Sequence, residues 1–182
     1  MQQRSLQRTP FGVLASIVAA QFAGTSPWFA GNAVLPELEA ALGITGSIAF
    51  TTSAVQLGFI IGTLGLAISG ITDRWSATTV FTLAAFGAAG TNLGMLLAYD
   101  PFSLVLWRFG TGVALAGVYP VGMKLAASHS DPQRGGLGAA LGFLVAALVL
   151  GTALPHGLRS LGEVLPWRAT VVATSALAAL AG

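Results

Sequence analysis

The sequence has no cysteine and very little charge, and both shortages exclude classes of function. Without cysteine the chain has no disulfide, no thiolate nucleophile and no cysteine-ligated metal site. It has only two histidines, His129 and His156, so we expect no zinc site. Only 8% of its 182 residues are charged, whereas a soluble domain carries about 25%. The chain therefore lacks the residues for a charged surface, and its composition is that of a membrane protein.

The few charges also argue against nucleic-acid binding and catalysis. The net charge is +2, with only eight Lys and Arg residues, which is too few for a phosphate-binding surface. The six acidic residues and the two histidines are scattered along the chain, whereas an active site needs a preorganised group of polar side chains. We therefore expect no enzyme activity, no cofactor, no metal and no nucleic-acid partner.

What the sequence has in abundance is long uncharged runs, because 54% of its residues are hydrophobic. Residues 9–36, 40–72, 75–99 and 135–158 contain no formal charge, and each is long enough for the helix of about 20 residues that crosses a bilayer. Helices are expected rather than a barrel, because the runs do not alternate between apolar and polar residues. One all-α domain of six transmembrane helices over 1–182 is predicted, with spans at 11–35, 47–71, 77–99, 101–126, 136–158 and 167–182.

Three of these spans have features of their own. The first could be mistaken for a signal peptide, but it is longer than a typical h-region of about 7–15 residues and it contains Gln21, Trp28 and Asn32. Pro120 and Pro155 are expected to kink or loosen the fourth and fifth spans. The last span is the shortest, so either its helix continues beyond this chain or the span is a weak one.

The distribution of Lys and Arg among the short loops predicts the orientation in the membrane. With six spans, both termini lie on the same side. That side collects five basic residues and the other side two, namely Arg4, Arg8, Arg74, Lys124 and Arg134 against Arg159 and Arg168. We therefore expect a protein of the plasma membrane, in a bacterium the inner membrane, with its N-terminus in the cytoplasm.

Polar and amphipathic side chains recur at helical spacing, i, i+4, i+7 and i+11, in three of the predicted spans. Because a polar side chain in lipid is costly, the simplest arrangement turns the three stripes toward one wet cavity. The alternative is that Gln, Thr and Asn only form hydrogen bonds between helices, and for Gln21, Asn32 and Gln56 both interpretations remain open. The stripes are Gln21, Thr25, Trp28 and Asn32; Thr52, Gln56, Phe59 and Thr63; and Arg108, Gly112, Leu115 and Tyr119.

Arg108 favours the cavity over packing. Arginine cannot discharge itself by losing a proton, and Arg108 lies about two turns inside its span with no acid inside the other spans to pair with it. Snorkelling to the interface is the competing account, but the position is deep for that. Small residues form separate stripes, such as Gly58, Gly62 and Gly65, which predict close packing of helix backbones.

With these spans and stripes, the chain resembles the N-terminal half of a major facilitator superfamily transporter. That family has twelve spans in two six-helix halves, with the pattern Gly-x-x-x-Asp-Arg-x-Gly-basic-basic between spans two and three. In SGITDRWSAT, Asp73 and Arg74 match the pattern, serine stands at both glycine positions, and Ala77 and Thr78 stand at the two basic ones. The match is therefore partial, although it lies between the corresponding spans.

Two further stretches carry the resemblance. WRFGTGVALAGVYPVGMKLAAS, which contains Arg108, looks like the family signature of span four. TSPWFAGNAVLP in span one is similar to the cyanate and nitrate/nitrite permease-like branch. In span five, TALPHG with Gly142 and Gly151 only partly matches the Gly-Pro signature of drug antiporters.

The resemblance implies secondary active transport by alternating access, with a central site between two halves. On this basis we expect a small polar or anionic solute, with Arg108 as the electrostatic anchor of the path. The other path residues would be Tyr119, Gln21, Trp28, Asn32 and Gln56. Asp73 and Arg74 would be gate residues, because in such proteins the signature Asp caps a helix N-terminus and latches the two halves.

The partners expected on this view are the lipid bilayer, the solute and a second six-helix half from the same gene or a second chain. Two alternatives remain open at this stage. One is a broad-specificity drug or metabolite exporter. The other is a membrane scaffold that transports nothing, or a half-transporter that pairs with its own copy.

Overall fold

The computed structural model of the chain describes residues 11–43, 48–130, 136–160 and 166–182. Every regular element in these ranges is a helix, and a short 3-10 helix, Met95–Leu97, extends α6. The α-helices are α1 Phe11–Thr25, α2 Ala30–Ala33, α3 Leu35–Leu42, α4 Ile48–Ser69, α5 Ile71–Arg74, α6 Ala77–Gly94, α7 Pro101–Leu115, α8 Tyr119–Ser128, α9 Gly136–Ser160 and α10 Trp167–Ala181.

The helices make the chain a multi-pass membrane protein, as its composition predicts. Four stretches are long and apolar enough to cross a bilayer: Ala49–Ser69, Ala77–Leu97, Pro101–Ser128 and Gly136–Ser160. They agree with the second to fifth predicted spans. Gly12–Thr25 and Trp167–Ala181 are apolar but shorter, so two of the six predicted spans are only partly matched. Arg4, Arg8 and Arg134, on which the predicted orientation depends, lie outside the described residues.

The prediction of one continuous helix over 11–35 was wrong. Helix α1 ends at Thr25, and residues 26–29 form turns before α2 and α3 continue the chain. Pro27 has no backbone N–H to continue the α1 hydrogen-bond pattern, and the Ser26 hydroxyl donates back to the Ala23 carbonyl at 2.8 Å. The stripe from Gln21 to Asn32 therefore does not lie on a single helix.

The fourth span is divided just before Pro120, where the sequence predicts a kinked or loosened helix. Helix α7 ends at Leu115, α8 begins at Tyr119, and the turn between them is tightened by a bond from Gly117 N to the Ala114 carbonyl at 2.9 Å. By contrast, Pro155 lies inside α9, which remains helical to Ser160. One proline therefore interrupts its helix and the other is accommodated.

A capping box sets the start of α7 and hence the depth of Arg108. Asp100 Oδ1 accepts from Ser103 N at 2.7 Å, and Ser103 Oγ accepts from Asp100 N at 3.2 Å. The hydrogen bonds with the Ser103 side chain and backbone lower the pKa of the Asp100 carboxyl. Pro101 follows in the first helical position, where its missing N–H costs nothing. Arg108 then lies about two turns into the helix.

Helices α4 and α7 pack with almost no side chain between their backbones at two glycines. A Cβ added to Gly58 would collide with the Phe109 carbonyl oxygen, and one added to Gly112 would collide with the Val55 carbonyl oxygen. This is the close approach that the small-residue stripe of α4 predicts. It places the backbone of α4 directly against the helix that carries Arg108.

We expect Gly112→Ala to destabilise the bundle by about 1–3 kcal/mol, because a methyl group would have to push the two backbones apart. Gly142→Ala in α9 is the matched control, since a Cβ there meets nothing within 4 Å and should be neutral or stabilising by up to about 1 kcal/mol. The free energy of unfolding in mixed detergent micelles measures both. Equal effects at the two positions would contradict the close approach of α4 and α7.

Candidate functional site: the polar network around Arg108

Arg108 is completely buried and is held by backbone carbonyls, not by an acid. Its Nη1 donates to the Pro27 carbonyl at 3.2 Å, and its Nη2 donates to the Trp28 carbonyl. Nη2 also lies 3.4 Å from Asn32 Oδ1. Among the described residues, Arg108 Nε is the guanidinium nitrogen that has no partner.

The turn after α1 is what makes these carbonyls available. Pro27 and Trp28 follow the end of α1 at Thr25; among the described residues no backbone N–H reaches the Trp28 carbonyl, whereas the Pro27 carbonyl also accepts from Ala30 N at 3.2 Å. The planar guanidinium presents its donors in a fork that two neighbouring carbonyls can share. Gly31 leaves room for the side chain, since a Cβ there would lie 2.8 Å from Arg108 Nε. Arg108 therefore pairs with the broken end of α1, a partner that sequence reasoning did not foresee.

Asn32 extends the network from α7 to α4. Its Nδ2 donates to Thr52 Oγ1 at 2.6 Å while its Oδ1 faces Arg108. Beside it, the rings of Trp28 and Phe59 lie 4.7 Å apart. The structure therefore brings together one member or more from each of the three predicted stripes.

The other three predicted path residues lie outside this network. Gln56 is exposed on α4, one turn from Thr52, and Tyr119 is half-buried at the start of α8. Gln21 is fully buried and packs against Gly122 of α8. Neither atom of its amide group has a hydrogen-bond partner in the part of the chain that the structure describes.

The predicted gate residues lie in the short helix α5, at the end of the bundle where α4 and α6 are connected. Asp73 Oδ1 accepts from Lys124 Nζ at 2.9 Å, and the same Nζ donates to the Thr72 carbonyl at 2.6 Å. Arg74 is exposed in the last turn of α5. The observed contact of Asp73 therefore joins α5 to α8 within this bundle. Sequence reasoning used Lys124 only to count charges, although its place near the end of the fourth span marked it as a neighbour of this turn.

A second buried polar cluster was missed by sequence reasoning. Asn92 of α6 donates from Nδ2 to Ser175 Oγ at 2.8 Å and to Thr174 Oγ1 at 3.1 Å, both in α10. Ser26, in the turn after α1, donates to the Thr174 carbonyl at 3.1 Å. Hydrogen bonds between helices are the usual role of such residues in lipid. An asparagine within the uncharged third span was the signal that would have indicated this contact.

A groove of about 440 Å³ lies on the outer side of the bundle, between α1 and α9. The lining of this groove is apolar, and it contains none of the predicted path residues. Its walls are formed by side chains that include Leu14, Val18, Phe22, Phe143 and Leu150.

No protein-family model matches this chain, and no curated protein matches its sequence.

We expect Arg108→Met to lower the free energy of unfolding by more than about 3 kcal/mol, because it removes the donor to the Trp28 carbonyl and one of the two donors to the buried Pro27 carbonyl. Arg168→Met is the matched control: Arg168 is exposed and lies 4.8 Å from the centre of the Trp167 ring, a contact of about 0.5–1 kcal/mol. Unfolding in mixed micelles compares the two variants. Similar losses would contradict a special role for Arg108 in holding the turn after α1.

A double-mutant cycle on Asp73 and Lys124 tests the contact between α5 and α8. The side chains are 81% and 48% exposed, so we expect a coupling free energy of only about 0.2–1 kcal/mol. Lys124→Ala should cost more than Asp73→Ala, because Lys124 also loses its bond to the Thr72 carbonyl. The unfolding free energies of both single variants and the double variant measure this, and zero coupling would show that the ion pair contributes nothing.

Proposed function

We propose that this chain is the N-terminal six-helix half of a secondary transporter that moves a small polar or anionic solute by alternating access. The observation that supports the proposal most strongly is the buried Arg108 beside an interrupted helix. Irregular backbone within a membrane is tolerated where it is enclosed by protein or lines a cavity. In secondary transporters, interrupted helices of this kind form the substrate site.

The electrostatics of the network favour an anion over a cation. Arg108 carries a full positive charge, whereas the C-terminal end of α1 contributes about half a negative charge. The sum is positive, and it lies in a region where few other charges compensate it, since residues 9–36 and 40–72 contain no formal charge. A solute with a negative charge is therefore attracted toward the turn after α1.

The solute does not meet Arg108 directly in this conformation, because the guanidinium is wholly buried. We assign the direct contacts to half-buried or exposed residues, which are Asn32 and Trp28 within the network and Gln56 and Tyr119 outside it. Asn32 bonds to Arg108 and to Thr52, so it is placed to transmit the charge of the buried arginine to the solute. An exposed glutamine in a membrane helix also supports this assignment, because exposure of Gln56 to lipid would be costly.

The gate in this proposal is the end of the bundle where α5 meets α8. The bonds from Lys124 to Asp73 and to the Thr72 carbonyl hold α5 against α8 in the present conformation. Release of these bonds would let the turn between α4 and α6 move relative to the fourth span. The second half of the transporter and the cytoplasmic location of this turn remain part of the proposal, as does the bacterial inner membrane.

The second candidate function is export of lipophilic compounds. The apolar groove between α1 and α9 supports it, since its lining fits a lipophilic molecule better than an ion. The two candidates differ in the solute that they move, a small anion or a lipophilic compound, so assays of both solutes in the same vesicles separate them.

The experiment measures uptake by the complete product of the gene in proteoliposomes, with Gln56 changed to Glu, Lys or Leu. At a distance of roughly 10 Å and an effective dielectric constant of about 20, a charge shifts solute binding by about 1–2 kcal/mol, or about five- to thirtyfold. For nitrate, nitrite and cyanate we expect Gln56→Glu to weaken apparent affinity by this factor and Gln56→Lys to strengthen it.

Gln56→Leu is the uncharged control, and it should change affinity less than Gln56→Glu does. Efflux of tetraphenylphosphonium, a lipophilic cation, is measured in the same vesicles. Loss of anion uptake in the Glu and Lys variants alike would contradict the electrostatic path. Cation efflux without anion uptake would favour the exporter. A protein that moves neither class of solute would favour a scaffold.

A further inference from the structure

The break between α7 and α8 leaves backbone polar groups without partners at membrane depth. Pro120 has no N–H to give to the Ala116 carbonyl, four residues earlier. Within the described ranges, no backbone or side-chain donor reaches the Ala116 or Gly117 carbonyls, and the Val121 N–H reaches no acceptor outside its own helix. Ala116 and Val118 are fully buried and Val121 nearly so, so bulk water does not reach these groups.

Gln21 adds two more unpartnered polar atoms next to the first turn of α8. Helix α1 passes the break with Gln21 against Gly122 and, one turn later, Gly24 against Val118. The Gln21 Oε1 atom lies where a Cβ on Gly122 would be, beside the first turn of α8. Its side chain is completely buried, and neither its Oε1 nor its Nε2 has a partner among the described residues.

Leaving these groups unpaired would be expensive. Each unsatisfied buried polar group costs about 1–3 kcal/mol, and the break and Gln21 together present several. Native structures pair nearly all buried backbone groups with protein or with ordered water. Some bound species therefore has to supply the missing hydrogen bonds.

The chemistry of the site selects among the candidates. It offers acceptors, which are Gln21 Oε1 and the carbonyls of Ala116 and Gly117, and it also offers donors, which are Gln21 Nε2 and the Val121 N–H. A cation would satisfy the acceptors but would face these donors and the positive N-terminal end of α8. An anion would leave the carbonyls unpaired. Water both donates and accepts, so it matches the whole set.

We propose that Gln21 and the α7–α8 break form a binding site for internal water. The water replaces the backbone hydrogen bonds that Pro120 prevents, and it links α1 to the middle of the fourth span. Helix α8, which carries Lys124, is then joined to α7 through exchangeable hydrogen bonds. The inference is independent of which solute, if any, the chain transports.

Hydroxyl-radical footprinting by brief X-ray radiolysis tests the proposal, because it oxidises buried side chains that lie next to bound water. Phe81 is the reporter: it is 5% exposed, and its ring packs near Gly122. Met95 is the internal control, since it is 0% exposed in an apolar cluster and methionine sulfur oxidises readily. In the unmodified chain in nanodiscs we expect Phe81 to be labelled several-fold faster than Met95. Equal, background labelling of the two would overturn the proposal without any variant.

Gln21→Met keeps the size of the side chain and removes its amide group. We expect it to reduce Phe81 labelling several-fold and to lower the melting temperature. Gln56→Met, at an exposed glutamine of α4, controls for the general effect of the substitution and should leave Phe81 labelling unchanged. If Phe81 remains labelled in Gln21→Met, Gln21 does not hold the water. If Gln21→Met melts at a higher temperature than the unmodified chain, the Gln21 amide group has no hydrogen-bond partner in the unmodified chain, which would overturn the proposal.

Salt distinguishes water from an ion at the same site. The melting temperature is measured in sodium chloride, choline chloride and sodium gluconate at equal ionic strength. We expect any difference in melting temperature between these salts to be the same in the unmodified chain and in Gln21→Met. A sodium- or chloride-dependent rise in melting temperature that disappears in Gln21→Met would show that the site binds that ion, and would overturn the assignment to water.

Discussion

The hydrogen bonds from Arg108 to the turn after α1 are the interaction on which the rest of this structure depends. A buried guanidinium cannot lose its charge, and a helix that ends inside a membrane exposes carbonyls that lipid cannot satisfy. Each would be strongly unfavourable alone, and each provides what the other lacks. Because the pair joins α7 to the end of α1, and Asn32 joins both to α4, one contact fixes the relative depth of three elements.

The two interrupted helices differ in how their free backbone groups are satisfied. At Pro27 a charged side chain from another helix takes the carbonyls, which holds the turn rigidly and leaves a net positive charge nearby. At Pro120 the neighbouring side chain is the neutral Gln21, which packs beside the break but forms no hydrogen bond within the described residues. The turn at Pro27 is therefore held by direct hydrogen bonds from another helix, whereas Gln21 forms no such bond at the break before Pro120 among the described residues.

Sequence reasoning was accurate where single residues act through composition and local chemistry, and it failed where a partner came from a distant element. The uncharged runs predicted the second to fifth spans, and Pro120 predicted the division of the fourth. The first span was predicted as one helix because helical spacing from Gln21 to Asn32 looked like a single stripe. That spacing carries no information about Arg108, which donates to the carbonyls of the turn from 81 and 80 residues away. The Asn92 cluster and the contact of Lys124 with Asp73 were missed for the same reason.

The sequence by itself determined that this is an all-α membrane protein with an arginine about two turns inside its fourth span, because hydrophobicity, charge and proline act through the local chain. Only the tertiary structure decided which groups satisfy that arginine, which glutamine is buried and which is exposed, and that Asp73 pairs with α8. Spacing along a helix shows which side chains share a face. It does not show which neighbouring element that face will meet, because this depends on how all the helices pack together.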